Sequence, residues 1–190
     1  EAVIGYVGAY TYAEVISGMT SFFLGARSVC ESATMKVRYT GSWYDQGKEQ
    51  EAATALIEKD KCVLISQHAD SLGAPTACEL AGVPNVSYNG STYSAGKNSF
   101  IVSSAINWAP YFQYIIECVV KGQAIDSDWC GDIATNSVVI SGLNQGVAAE
   151  GTEAKLKEAI DAFKAGTLKV FATDKFTVDG KKLDQYMADI

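Results

Sequence analysis

Aromatic and polar side chains collect where predicted strands end, and these side chains are the ones whose types could do chemistry. His68 and Asp70 stand two residues apart, an imidazole and a carboxylate of the kind used in proton transfer. The other candidates supply ring faces and amides: Tyr10, Trp43, Tyr44, Asn89, Asn107 and Trp108. Rings stack on a flat ligand, a carboxylate accepts from exocyclic N–H groups, and an amide pairs with a ring edge. This combination favours a binding pocket for a purine-like ligand.

Catalysis is the second interpretation of the same residues, and the sequence supports it less. His68 is the only histidine, so a metal site would lack converging donors. The nucleophile pattern Gly-x-Ser-x-Gly is absent, and so are the dinucleotide pattern G-x-G-x-x-G and a Walker lysine. We therefore expect no catalytic residue, no metal and no cofactor, and we keep a small α/β enzyme using His68 and Asp70 as the weaker alternative.

The elements that must position these residues alternate between strand and helix. Short apolar or alternating runs predict strands at residues 3–8, 35–39, 63–66, 84–88, 100–103 and 138–141. Apolar residues at three- and four-residue spacing predict helices at 13–29, 47–59, 107–122 and 152–165, and another ending at 81. This order predicts an α/β fold with a doubly wound, mainly parallel sheet, in which ligands bind at the carboxyl edge of the strands. Asp179-Gly180 predicts a hairpin near the C-terminus.

Three residues mark helix ends. Asp45 precedes the second helix, where its carboxylate caps free backbone amides, with ligand contact as a secondary role. Asn107 suits the N-cap of the helix at 107–122, and Gly122 suits its C-terminal cap. That helix has an unusually broad apolar face, which predicts self-association or a covering partner.

Composition excludes several classes of function. The net charge of −7 and the pI near 4.7 argue against nucleic acid, which needs clustered Lys and Arg. No apolar run approaches the ~18 residues of a membrane span. The sequence contains no signal peptide, so its N-terminus does not indicate where the protein acts. The five cysteines lack C-x-x-C spacing. They are interpreted as buried small apolar residues, with one bridge between Cys30 and Cys62 as the alternative.

Short motifs along nearly the whole chain resemble one family. They are Ile4-Gly-Tyr-Val-Gly, Glu14-Val-Ile-Ser-Gly, Leu24-Gly-Ala-Arg, Ser42-Trp-Tyr-Asp, Lys48-Glu, Gln67-His-Ala-Asp-Ser, Gly82-Val-Pro, Tyr88-Asn, Asn107-Trp-Ala-Pro-Tyr and Val120-Lys-Gly. In order and spacing they resemble the basic membrane protein (BMP) family of substrate-binding lipoproteins of ABC transporters. The resemblance implies a type I periplasmic-binding-protein fold, in which two Rossmann-like lobes close on a ligand, often a purine nucleoside or base. It also implies an extracytoplasmic, lipid-anchored protein that delivers its ligand to a membrane permease.

The resemblance also assigns expected roles to individual residues. Trp43 or Tyr44 is similar to the family's stacking aromatic, and His68 to Asp70 to its contact loop after the third strand. Asn89 stands where nucleoside binders have an acid, and Asn107 near the place of a lysine. Because an acid suits a ribose diol, its replacement favours a free base such as adenine.

The family is longer than this chain, so the resemblance also predicts how the chain divides. We expect residues 1–104 to form the second ligand-binding lobe and residues 105–145 to form a return segment that packs on a first lobe. Residues 146–190 are expected to form a closing helix and hairpin. The first lobe, or a homo-oligomer contact, is expected to cover the helix at 107–121. A ligand-sensing regulatory domain of the same fold is the alternative function.

Overall fold

The computed structural model describes residues 2–186, which form six strands and five helices. The strands are Val3–Gly8 (β1), Thr34–Tyr39 (β2), Leu64–Gln67 (β3), Asn85–Tyr88 (β4), Phe100–Ile106 (β5) and Val138–Ser141 (β6). The helices are Ala13–Val29 (α1), Gln46–Glu58 (α2), Gly73–Ala81 (α3), Ala109–Lys121 (α4) and Thr152–Lys164 (α5). Each of these elements was predicted from the sequence, and most bounds agree within one or two residues.

One six-stranded sheet carries all the strands, in the order β2-β1-β3-β4-β5-β6. Every neighbouring pair is parallel except β5 with β6, which is antiparallel. The prediction of a mainly parallel, doubly wound sheet is therefore confirmed. The strand order reverses between β1 and β3, and the crevice at such a reversal is where doubly wound sheets bind ligands.

The two faces of the sheet are covered differently. On one face α2 and α3 bury an apolar core that includes Val7, Leu56, Ile65 and Cys78. On the other face Tyr6 points towards α1, where its ring lies 6.0 Å from that of Phe22. Because side chains alternate along a strand, every second residue of β1, β3 and β4 lies on the α1 face.

Helix caps explain where α2 and α4 start. Asp45 caps α2 as predicted, and its carboxylate accepts from the backbone N–H of Lys48 at 3.0 Å. The N-cap of α4 is Trp108 rather than Asn107, so the prediction was wrong by one residue. Asn107 instead pairs its backbone N–H with Ser137 at 2.8 Å, which continues the extended chain beyond β5. Its side-chain oxygen still accepts from the N–H of Ala109 at 3.2 Å.

Helix α4 presents a row of large apolar side chains to solvent. We call this row the outer stripe of α4: Trp108, Phe112, Ile116, Val119 and Val120, all between 56% and 79% exposed. The helix ends as predicted at Gly122, which has a φ of 62°. The broad apolar face predicted from the sequence is thus present, and the residues that the structure describes leave it uncovered.

Three further expectations have clear outcomes. All five cysteines are free, so the alternative bridge between Cys30 and Cys62 is absent. Val178 and Lys181 form an antiparallel bridge around Asp179 and Gly180, both with positive φ, which confirms the predicted hairpin turn. Among residues 2–186, no helix combines the length and hydropathy needed to cross a bilayer.

Candidate functional site

Five ring side chains meet at the carboxyl edge of the sheet, around the point where the strand order reverses. This aromatic cluster consists of Tyr10, Tyr12, Trp43, His68 and Tyr88. Tyr10 and Tyr12 follow β1, Trp43 follows β2, His68 follows β3, and Tyr88 ends β4. Four consecutive strand ends of a parallel sheet therefore supply one continuous ring surface.

The rings contact one another in sequence across this edge. The Trp43 ring lies 5.0 Å from that of Tyr10, edge to face, and 5.8 Å from that of Tyr12, nearly stacked. On its other side Trp43 lies 5.9 Å from His68, which stacks on Tyr88 at 4.4 Å. Tyr12 is 59% exposed while His68 is buried, so the surface runs from solvent into the protein. Such a graded ring surface suits a flat ligand with one edge in water.

His68 is the innermost polar group of the cluster. Its Nδ1 is buried and has no hydrogen-bond partner among the described residues. Burial lowers the pKa of His68, and the carboxylates of Glu14 and Asp70 only partly oppose that shift. The imidazole is therefore neutral at pH 7, with one nitrogen free to accept and one to donate a hydrogen bond. A buried polar atom of this kind needs a partner, and a hydrogen bond from a bound group or from a water would supply it.

The charged groups that act on the aromatic cluster are carboxylates. Burial raises the pKa of Tyr88, and the carboxylates of Glu14 on α1 and Asp70 after β3 raise it further. The backbone N–H of Asp70 donates to the carbonyl of Trp43 at 2.9 Å, which joins the two loops that carry Trp43 and His68. Two carboxylates beside a ring surface disfavour an anionic ligand and favour one with N–H or O–H donors.

The geometry does not form the catalytic pair that was the weaker alternative. A general base would need its imidazole oriented by a second group, and neither Asp70 nor any other described residue pairs with Nδ1 of His68. Within residues 2–186, no group of three or more His, Cys, Asp or Glu side chains could hold a metal ion.

Four of the predicted site residues lie outside the ring contacts of the cluster. Tyr44 is 68% exposed, and Asn89 has a φ of 58° in the exposed turn after β4. The side-chain amide of Asn107 donates to the carbonyl of Asn136 at 2.9 Å. Trp108 packs its ring against those of Tyr111 and Phe112 on α4. The structure therefore brings Tyr10, Trp43 and His68 together, with Asp70 beside them.

Two rings of the cluster were not among the predicted site residues. Tyr12 lies only two residues beyond Tyr10, so its closeness to the end of β1 could have identified it as a site residue. Tyr88 required the register of the sheet. Ser66 pairs with Val86, and two residues further on His68 and Tyr88 share the α1 face.

Two curated relatives are similar to about two thirds of this chain. A putative ABC transporter glucose-binding protein of Haloferax volcanii is 36% identical over 129 residues, which are 67% of this chain and 33% of the relative. A purine-binding protein of Brucella abortus is 31% identical over 122 residues, which are 64% of this chain and 35% of the relative. The chain thus spans about a third of the length of the curated relatives it matches.

Solved structures share the fold over most of the chain. A solute-binding protein of an ABC transporter system from Conexibacter woesei superimposes with a TM-score of 0.73 at 23% identity, over 88% of this chain and 56% of that one. A transcriptional activator of the comK gene from Bacillus halodurans gives 0.71 at 18% identity, over 85% and 56%. A solute-binding protein from Aeropyrum pernix gives 0.69 at 13% identity, over 89% and 57%. The type I periplasmic-binding-protein fold implied by the resemblance is confirmed.

The family model for PnrA-like ABC transporter substrate-binding proteins, Bmp, matches residues 1–168. It therefore includes every residue of the aromatic cluster. Members of this family are substrate-binding proteins and not enzymes, which removes the small α/β enzyme as an alternative. The chain belongs to the family of PnrA-like ABC transporter substrate-binding proteins.

Proposed function

We propose that this chain is one ligand-binding lobe of the extracytoplasmic component of an ABC importer. It binds a purine-like base or nucleoside between two lobes, and closure of the lobes is what the permease senses. The aromatic cluster is the observation that carries this proposal, because its rings and the unpartnered Nδ1 of His68 offer stacking and one hydrogen bond together. The residues assigned to the ligand are Tyr10, Trp43, Tyr44, His68, Asp70, Asn89, Asn107 and Trp108, now with Tyr12 and Tyr88.

The charges and rings of the site support a neutral purine over a nucleotide or a sugar. Glu14 and Asp70 repel a phosphate, so a nucleotide fits poorly. Glucose would use the same carboxylates, but a sugar needs polar partners on several hydroxyls. The described cluster offers mainly ring faces. A flat base gains from each face it covers, by roughly 1–3 kcal/mol per stacked base.

An NMR titration tests the ligand. His68 is the only histidine, so the chain labelled with ¹³C-histidine gives one set of imidazole signals at the centre of the site. We expect adenine to shift these signals with weak affinity, because a second lobe supplies the opposite wall. AMP is expected to shift them less, and Trp43→Ala to abolish the adenine response. The matched control is Trp129→Ala, since Trp129 packs on Tyr111 of α4 outside the site.

Each other outcome of this titration has a definite meaning. A shift with glucose and none with adenine would assign the site to a sugar and overturn the purine proposal. Micromolar affinity of this chain for adenine, measured by calorimetry, would contradict the need for a second lobe.

We also propose the division of the chain implied by the family. Residues 1–104 form the lobe, residues 105–145 pack on a first lobe, and residues 146–190 return as a helix and hairpin. The ring contacts of α4 support this division, because Trp108, Tyr111 and Tyr114 contact one another or Trp129 within residues 105–145. The end of the 105–145 segment still contacts the lobe, because β6 pairs with β5.

The outer stripe of α4 is proposed to be covered, either by that first lobe or by a second copy of the chain. We expect the chain alone to self-associate in sedimentation experiments, and Ile116→Asp to shift it towards monomer. Val29→Asp is the matched control, because Val29 is 86% exposed at the end of α1, away from the stripe. A wild-type chain that stays monomeric at its highest soluble concentration would rule out the second copy.

The whole protein is proposed to act outside the cytoplasm, held at the membrane by a lipid anchor as in the family. Recovery of the whole protein in the soluble cytoplasmic fraction of cells would contradict this placement.

The alternative function is a ligand-sensing regulatory domain. The observation that favours it is the shared fold of the Bacillus halodurans transcriptional activator, at 18% identity. A whole protein carrying a DNA-binding or kinase segment would support this alternative, and a lipid-modified N-terminal cysteine would exclude it.

A further inference from the structure

A buried carboxylate joins the two loops that follow β2 and β3. Glu49, in the first turns of α2, is fully buried. Within residues 2–186 its hydrogen-bond partners are backbone amides and not a cation: Oε1 accepts from the N–H of Asp45 at 3.2 Å, and both oxygens accept from the N–H of Ser71, at 3.2 and 3.1 Å. Burial raises the pKa of Glu49, while the side chain of Ser71 and the two backbone amides oppose the shift. A buried carboxylate without a cation is costly, so its position calls for an explanation.

The two amides that Glu49 binds belong to the two loops that form the centre of the site. Asp45 follows Trp43 by two residues, and Ser71 follows His68 by three. The same loops are joined once more, where the N–H of Asp70 donates to the carbonyl of Trp43 at 2.9 Å. Glu49 therefore completes a cross-link between the loop that carries Trp43 and the loop that carries His68.

We propose that Glu49 is a positioning residue, whose carboxylate holds these two loops together so that Trp43 and His68 present one continuous surface. This inference rests on the proposed function, because it is the ligand site that the carboxylate aligns. A helix cap alone would not need the second loop. The usual capping carboxylate reaches back only to its own helix start, whereas both oxygens of Glu49 also accept from Ser71 in the second loop.

The test compares two carboxylates that bind backbone amides. In Glu49→Gln one acceptor oxygen becomes an amide donor that faces the N–H of Ser71. The matched control is Glu79→Gln, because Glu79 likewise accepts from a backbone amide, that of Asn98 at 2.9 Å, on a loop away from the cluster. The measurement is the set of His68 imidazole signals of the ¹³C-labelled chain without ligand, followed by an adenine titration.

We expect Glu49→Gln to move the His68 signals downfield, towards the positions of an unstacked imidazole, because the ring leaves the shielding face of Tyr88. The adenine response should weaken in the same variant. Glu79→Gln should leave both unchanged even where it lowers the melting temperature. His68 signals of Glu49→Gln that coincide with wild type, or that move equally in Glu79→Gln, would overturn the proposal.

Two measures keep the test decisive. If Glu49→Gln does not fold, Glu49→Asp replaces it, because the shorter carboxylate keeps the charge but cannot reach both loops. Wild-type His68 positions in Glu49→Asp would overturn the proposal, and displaced ones would support it. The ligand-free signals test the position of His68 even if wild type fails to bind adenine, a result that would instead overturn the proposed function.

Discussion

Gly73→Ala is expected to lower the free energy of unfolding by about 3 kcal/mol, which is a large part of a typical domain's stability. Gly73 is buried at the start of α3, where this helix crosses the first turns of α2. A Cβ at this position would press on the carbonyl oxygen of Gln46 and lie 2.8 Å from the backbone nitrogen of Gln50. Backbone atoms cannot swing aside as a flexible side chain does. The two helices must therefore separate, and the loop that carries His68 moves with them.

Thermal and urea unfolding of wild type and of Gly73→Ala measure this effect, with Gly25→Ala as the matched control. Gly25 lies in the exposed middle of α1, and an added Cβ there meets no atom within 4 Å. The control is expected to gain about 0.5–1 kcal/mol, because alanine is the better helix former. If Gly73→Ala were as stable as wild type, the close approach of α2 and α3 would not be a constraint on the fold.

Gly73 also shows what the sequence could and could not predict. Periodic apolar residues predicted a helix ending at Ala81, because that pattern is local. That its first residue must be glycine depends on the crossing with α2, which no local pattern records. The same holds for the cluster: Trp43 and His68 were predicted from their strand ends, whereas Tyr88 depends on the register between β3 and β4.

The uncovered face of α4 is the opposite case, in which sequence alone was sufficient. Its hydrophobic residues exceed what one contact face of a helix requires, and the exposed fraction of Ile116, 61%, agrees with that expectation. The start of α4 was predicted one residue early because Asn107 resembles an N-cap. Its backbone pairing with Ser137 decides otherwise, and that residue lies thirty positions further along the chain.

The register that brings His68 onto Tyr88 is held by a buried polar network on the opposite face of the sheet. The side-chain amide of Asn85, on β4, donates to the carbonyl of Ile65 at 3.1 Å and to Oε1 of Gln67 at 2.8 Å. Its oxygen accepts from the hydroxyl of Ser87 at 2.7 Å, which in turn contacts the hydroxyl of Thr92. The two bonds that the Asn85 amide donates cross from β4 to β3, so a slipped register would leave both of them unpaired.

Asn85→Asp is therefore expected to destabilise the fold by about 3 kcal/mol at pH 7. The carboxylate has no N–H to donate, and its oxygen would face the carbonyl of Ile65 in a fully buried site. A protonated carboxyl can donate there, so the folded state raises the pKa of this Asp above its unfolded value near 3.9. Between the two pKa values the folded state binds more protons than the unfolded state. The stability of the variant relative to wild type must then fall as pH rises, by at most about 1.4 kcal/mol per pH unit.

Urea unfolding of wild type and Asn85→Asp at pH 4.5 and pH 7.5 measures this difference. The loss of stability should be clearly smaller at pH 4.5, where the buried carboxyl is protonated at less cost. Asn89→Asp is the matched control, since Asn89 is exposed in the turn that follows the same strand, and aspartate tolerates its positive φ. That control should change stability by less than about 0.5 kcal/mol at either pH. An equal loss for Asn85→Asp at both pH values would show that Asn85 does not hold its donor towards Ile65, and that the β3–β4 register depends on apolar packing instead.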